Sequence, residues 1–178
     1  QHKDVWNHTL QVVSQAPPTS VLRWAALLHD MGKAWTRALN RDGTVTFYRH
    51  EQQGAMLFEG ISKRFTFDNA MTTEVKFIIA NHGRVPQYQP DWSDAAVRRL
   101  VRDLDPYLES MLAFSRADLT TSIPLKREAA LRKIDQLEAR IGELEAASTL
   151  RPSLPKGIGK VLMTEFALKP SPIVGELK

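Results

Sequence analysis

The chain has 178 residues, with 24 Lys and Arg against 20 Asp and Glu for a formal net charge of +4, and 43% of it is hydrophobic. Those proportions describe an ordinary globular chain with one core and room for an appended segment, and they exclude disorder as a general description. There is no cysteine, so disulfide frameworks, thiolate metal sites and cysteine nucleophiles are excluded, and any metal must be held by His, Asp or Glu.

From Asp4 to Gln15 the pattern is helical, with Val5, Leu10, Val12 and Val13 near one face and Pro17-Pro18 as a stop. Ser20 is placed to cap a second, largely buried helix that carries Val21, Leu22, Trp24, Ala25, Leu27 and Leu28 and ends near Gly32. Asn40-Arg41-Asp42-Gly43 is a turn signal and Thr44 to Tyr48 alternates, so a small β-like excursion is expected near 44–48. Helices are expected from His50 to Arg64 and from Asn69 to His82, the second capped by Asp68 or Asn69. After a loop with Pro86 and Pro90, Ser93-Asp94 opens a helix through Asp103, and Pro106 suits the first turn of another that runs to Asp118.

Ile123-Pro124 reads as a boundary before a long helix, 125–147, in which Leu131, Ile134, Leu137, Ile141 and Leu144 follow one another at steps of three, three, four and three. That near-heptad stripe needs an apolar partner, either a second copy, giving a homodimer through 125–147, or the helix's own domain. A last short helix is expected over 157–168. The fold class expected is all-α: a helical bundle over 1–122, then a helical body and tail over 123–178. From Thr149 onward five basic residues stand against Glu165 and Glu176, a net +3 that suits a phosphate backbone or simply a soluble surface.

No run approaches the roughly 18 apolar residues of a membrane span, and Gln1-His2-Lys3-Asp4 is no signal-peptide core. A cytoplasmic location with no membrane partner is the resulting expectation. Because the first residue is Gln and a helix begins almost at once, the chain is expected to be a piece of a longer protein.

The histidines carry the chemistry. His8, His29, His50 and His82 sit in helical segments where a core would take aliphatics, and Asp30 follows His29 directly. Adjacent helical residues point about 100° apart, so His29 and Asp30 can share one metal only if other helices complete the shell, which His8 and Asp118 could do. Two imidazoles and two carboxylates suit Mn, Fe, Co, Ni or Zn better than the all-oxygen shells of Mg and Ca; a buried polar network without metal is the alternative.

His8, the string Ala25-Ala26-Leu27-Leu28-His29-Asp30-Met31-Gly32-Lys33, and Asp118 resemble the H…HD…D signature of the HD-domain metal-dependent phosphohydrolases. Phe47-Tyr48-Arg49-His50-Glu51-Gln52-Gln53-Gly54-Ala55, Asn81-His82, Trp92 to Arg99 and Ser115 to Thr121 are similar to the HD region of the bacterial CCA-adding tRNA nucleotidyltransferases, related to poly(A) polymerases. Leu162 to Gly175 is similar to that family's C-terminal segment. The resemblance implies that His8, His29, Asp30 and Asp118 form the metal shell. His50 and His82 match the histidines that some HD proteins use for a second ion, with Asp30 then bridging, so one or two divalent transition-metal ions are expected.

By the same resemblance the reaction is hydrolysis of nucleotide or RNA-end phosphate esters, 2′,3′-cyclic nucleotides among them, with tRNA as partner. Lys33 is read as a phosphate-neutralising cation or as a salt-bridge partner of Asp30 or Glu51. Glu51 is read as orienting a ligand or as simply solvated, and Arg37 and Arg84 as phosphate contacts or as surface arginines; Lys33, Glu51 and Arg84 are the catalytic candidates. In the family's nucleotidyltransferase head a Gly-Ser motif precedes an Asp-x-Asp pair; no Gly-Ser occurs in these residues, and the Asp-x-Asp at Asp103-Leu104-Asp105 has none before it, so nucleotide addition by this chain alone is not expected. The alternative function is a non-catalytic tRNA-binding, scaffolding or dimerisation module.

Overall fold

The computed structural model describes residues 4–150 and 163–166. By contact the chain forms two compact units, Gln1–Ile141 and Gly142–Lys178. The first is a helical bundle: α1 (Val5–Gln15), α2 (Ser20–Leu28), the single turn α3 (Lys33–Thr36), a two-stranded hairpin of β1 (Arg37–Leu39) and β2 (Val45–Phe47), then α4 (His50–Arg64), α5 (Asn69–Asn81), a 3-10 turn (Val85–Gln87), α6 (Asp94–Leu104), α7 (Leu108–Ala117) and the start of α8 (Pro124–Leu150). This is the expected all-α bundle with its small β excursion. In the second unit the described residues are the end of α8 and a helical turn within 163–166, so most of the helix expected over 157–168 lies outside the described residues.

Local chemistry sets the element ends. Asp4 caps α1 by accepting from Trp6 N and Asn7 N, Asp68 caps α5 by accepting from Met71 N, and Ser93 caps α6 by accepting from Ala96 N. The cap of α2 is Thr19, not Ser20: Thr19 is the last extended residue, and its hydroxyl accepts from Leu22 N at 3.2 Å. Pro106 precedes α7 and its cap Tyr107 instead of lying in the first turn. In the hairpin, Arg37 pairs with Phe47 and Leu39 with Val45, antiparallel, and Gly43 supplies the positive φ of +81° that the turn needs.

α2 is the hub, packed against α1, α5 and α7, while α4 lies on α5. The core they enclose holds Val12, Phe58, Ile78, Ile79, Met111 and Phe114, all fully buried. The buried face of α1 is Thr9 and Val12, whereas Val5 and Leu10, expected inside, are exposed. Thr9 can go inward because its hydroxyl donates to Val5 O at 2.8 Å. Of the stripe on α8, Ile134, Leu137 and Ile141 are buried, and Arg116 on α7 holds Asp135 and Glu138 of α8. No helix among the described residues is long and apolar enough to cross a membrane.

Candidate metal centre

Helix ends deliver the site. His29 is the C-cap of α2, His82 the C-cap of α5, Asp118 the C-cap of α7, and His50 the first residue of α4. Three of the imidazoles are held alike. Nδ1 of His29 donates to Ala26 O at 2.9 Å, that of His82 to Ile79 O at 2.8 Å, and that of His50 to Phe47 O at 3.0 Å. Each acceptor is a carbonyl three residues back, and for His29 and His82 it is one a helix C-terminus leaves without an intrahelical partner. A carbonyl only accepts, so a proton sits on Nδ1, and in the neutral ring Nε2 is left as a lone pair. His8, on α1, has Nδ1 2.7 Å from Thr120 Oγ1.

Those inward nitrogens meet. His8 Nε2 is 3.1 Å from His29 Nε2, and His50 Nε2 is 3.3 Å from His82 Nε2. Two imidazole lone pairs at such distances repel unless a proton or a cation lies between them. Asp30 stands between the pairs: Oδ2 is 3.5 Å from His8 Nε2 and 3.4 Å from His29 Nε2, while Oδ1 is 3.5 Å from His50 Nε2 and 3.8 Å from His82 Nε2. Asp118 Oδ1 joins the first pair, 3.1 Å from His8 and 3.6 Å from His29.

Asp30 Oδ1 and Asp118 Oδ1 are buried and accept no hydrogen bond of adequate geometry, which buried acceptors rarely tolerate. Two donor sets result, His8 with His29 and Asp30, and Asp30 with His50 and His82. These are nitrogen and oxygen donors of the kind that hold divalent transition metals, so the residues present fit such an ion.

Charge inside the cluster is polarised. Burial favours neutral His29, but the hydrogen bond and charge of Asp30, with the charge of Asp118, outweigh it and raise its pKa above 6.5. Burial likewise pushes the Asp30 carboxyl up, and His29 and Lys33 outweigh it, holding Asp30 well below the usual carboxylate range. His82 moves the other way: burial, then the charge on His29, lower its pKa below 6.5.

Lys33 Nζ is 2.6 Å from Asp30 Oδ2 and 5.8 Å from the Phe47 ring centroid. Glu51 Oε2 lies 3.3 Å from His50 Nδ1, sharing that nitrogen with Phe47 O. A cavity of about 880 Å³ opens on the cluster; His8, His29, Asp30, Lys33 and Asp118 line it, with Trp6 and Arg37 among the other walls. Arg84 stands apart from it, its guanidinium 2.9 Å from Asp103 of α6.

The reading of the sequence missed Thr120, the Phe47 carbonyl and Gln15, whose side-chain amide donates to Ala117 O at 2.7 Å and so ties α1 to the end that carries Asp118. Thr120 lay in the segment 115–121 already singled out; nothing local points from Gln15 to a residue 102 positions away.

The HD domain family matches residues 5–140, and the chain belongs to that family. Over 99% of its length it is 32% identical to an A-adding tRNA nucleotidyltransferase of Deinococcus radiodurans, of which it covers 41%. It is also 31% identical over 57% of its length to a Multifunctional CCA protein of Cupriavidus necator, covering 25% of that protein, and 34% identical over 49% to one of Thioalkalivibrio sulfidiphilus, covering 22%. The chain thus spans less than half the length of these relatives.

Proposed function

We propose that this chain is a divalent-metal-dependent phosphohydrolase acting on nucleotide or RNA-end phosphate esters in a tRNA-processing context. The observation that carries the reading is the convergence of four imidazole Nε2 atoms on the two oxygens of one buried carboxylate, Asp30. His8, His29, Asp30 and Asp118 would hold one ion, and Asp30, His50 and His82 a second. Bound there, a divalent ion supplies charge withdrawal from a phosphoryl oxygen and acidification of water.

The chain's own groups do the rest. The carbonyls of Ala26, Phe47 and Ile79 keep the imidazoles in the Nδ1-protonated tautomer. Glu51 orients His50, and the Lys33 ammonium stands at the wall of the cavity, with Arg37 also lining it, where a phosphate would meet positive charge. Arg84 is held in its ion pair with Asp103, away from the residues that line the cavity. The basic residues beyond Thr149 and the helix 125–147 would meet tRNA through its backbone charge.

The similarity to tRNA nucleotidyltransferases favours a second reading, in which the chain is a tRNA-binding part of such an enzyme and the cluster only stabilises it. One experiment separates the two: turnover of 2′,3′-cyclic AMP and of nucleoside monophosphates by the chain loaded with Ni, Mn or Co, beside tRNA binding. Turnover abolished by chelation and by Asp30→Asn supports hydrolysis. tRNA binding without any turnover supports the module.

A further inference from the structure

A second cavity adjoins the first. It has a volume of about 1000 Å³, runs along β2 into the first turn of α4, and is lined by Tyr48, Arg49, His50, Glu51 and Gln52 among others. Lys33 and Phe47 line both cavities, so the metal cluster is approached from two sides of one wall. A single nucleotide is of the size that one such pocket takes. Two joined pockets suit a ligand that continues past the reacting phosphate.

The hairpin beside the second cavity is unusual in what it leaves in solvent. Trp35, just before β1, is 65% exposed and Tyr48, just after β2, is 77% exposed. Arg37, Arg41 and Arg49 are exposed as well. Arg84, Arg116, Arg132 and Arg140 each hold a carboxylate; among the described residues none lies within ion-pair reach of the three hairpin arginines, and they differ from Arg23, Arg64, Arg99, Arg102 and Arg127, which also lack one, in standing together on one hairpin beside exposed aromatic rings. The acidic groups nearby are engaged: Asp42 accepts from Thr44 N and Oγ1, and Glu51 faces His50.

Arg49 adds a third observation. Its backbone is left-handed, φ 60° and ψ 29°, and its side chain makes no cap bond to α4. Residues with a Cβ avoid that region and glycine takes it freely. What the arginine does instead is lay its guanidinium 5.3 Å from the Tyr48 ring centroid, joining a positive charge to an aromatic face.

Unpaired arginines interleaved with exposed aromatic faces are what a single-stranded nucleic acid needs, charge for its phosphates and flat surface for its bases. We propose that Trp35, Arg37, Arg41, Tyr48 and Arg49 form a platform for a single strand of several nucleotides whose terminal phosphate enters the metal cavity. The placement of that phosphate, though not the platform itself, rests on the phosphohydrolase reading. It makes strand ends, above free mononucleotides, the preferred substrates.

The test uses the whole chain. Binding of fluorescein-labelled RNA and DNA pentamers is measured by anisotropy in chelator, so that hydrolysis plays no part, for the parent, Tyr48→Ala and Arg49→Gly. The glycine matches the positive φ of Arg49, so that variant keeps its fold. The pentamer should bind more tightly than a mononucleotide, each variant should weaken it about tenfold, as loss of one stacking contact does, and Arg49→Gly should lower the salt slope by about 0.7. RNA and DNA binding equally well assigns the platform to phosphates and base faces; an RNA preference adds the 2′-hydroxyl.

With metal present, both variants should lose about tenfold in kcat/KM on the pentamer and keep the mononucleotide rate. Pentamer binding no tighter than that of a mononucleotide, variants that bind like the parent, or equal competition by an acidic peptide would overturn the proposal. If the variants lose pentamer binding while no phosphate ester is hydrolysed, the platform stands and the phosphohydrolase reading falls.

Discussion

Gly32 is the position where one methyl group should do the most harm. A Cβ built there would lie 2.0 Å from His50 O and 2.7 Å from Gly54 N, both backbone atoms of α4 that no rotamer change can move. Real Cβ contacts begin near 3.0 Å, so Gly32→Ala requires the turn before α3 and the start of α4 to part by about 1 Å. Overpacking of that kind costs about 1–3 kcal/mol, and a rigid backbone neighbour puts this case near about 3. For a chain of this size that is a fall of roughly 6–12 °C in melting temperature.

The same displacement acts on the site, because His50 begins the helix that must move and its Nε2 stands 3.5 Å from Asp30 Oδ1. Binding at the set formed by Asp30, His50 and His82 should weaken more than binding at the set formed by His8, His29 and Asp30. Gly60 is the control: it lies within α4 with nothing within 4 Å of a built Cβ, so Gly60→Ala should stabilise by about 0.5–1 kcal/mol. Thermal melts and metal titrations of the two variants test the reasoning. A Gly32→Ala protein that melts with the parent and binds metal with unchanged affinity and stoichiometry would refute it.

Asp30→Asn removes the charge and one of the two oxygen donors of the residue common to both sets, so bound metal should fall below half the parent's content, and turnover by more than the roughly 100-fold that outer partners cost; elemental analysis and a cyclic-nucleotide assay read both. Glu51→Gln leaves Phe47 O on His50 Nδ1 and should weaken metal binding about tenfold, in a titration, at the His50 and His82 set alone. Leu137 is fully buried, so Leu137→Ala should cost about 2–5 kcal/mol in a urea melt if α8 packs as described. The chelated protein should be most stable near pH 6.5. Below it the unfolded chain takes up a proton that His82, with its lowered pKa, refuses; above it the folded chain keeps a proton on His29, with its raised pKa, that the unfolded chain has lost. A melting temperature that rises steadily from pH 6 to 8 in chelator would contradict those two shifts.

Much of the fold was legible because its helix ends are written in cap chemistry. Asp68 and Ser93 announced α5 and α6, and the change from a 3.6-residue to a two-residue period after Asn40 announced the hairpin. The reading failed where a tertiary choice overrode a local rule. Thr9 replaced Leu10 on the buried face of α1 because a polar residue that can satisfy itself was cheaper to place beside His8 than the pattern allowed. The heptad stripe of α8 looked the same whether it faced a second copy or its own bundle; the fold shows Ile134, Leu137 and Ile141 buried within the chain. Within the site, the i to i−3 bonds of His29, His50 and His82 are local and readable. That His8 meets Asp118 is not, because 110 positions separate them; residue type made them candidates, and the family resemblance joined them to His29 and Asp30.

Lys33 shows the limit of such a reading most clearly. Its two alternatives, ion pair with Asp30 or contact with a phosphate, compete in sequence but are connected in the structure. The ammonium lies 2.6 Å from Asp30 Oδ2, the oxygen that also faces His8 and His29. That oxygen cannot give its full charge to the ammonium and to a divalent ion at once. Without metal, Lys33 offsets part of the negative charge buried on Asp30. A divalent ion held by His8, His29 and Asp30 would compete with the ammonium for that oxygen, and Lys33 lies on the cavity wall beside Phe47. The group that offsets the charge of Asp30 would therefore serve, in the proposed function, as a cation on the wall where a phosphate would bind.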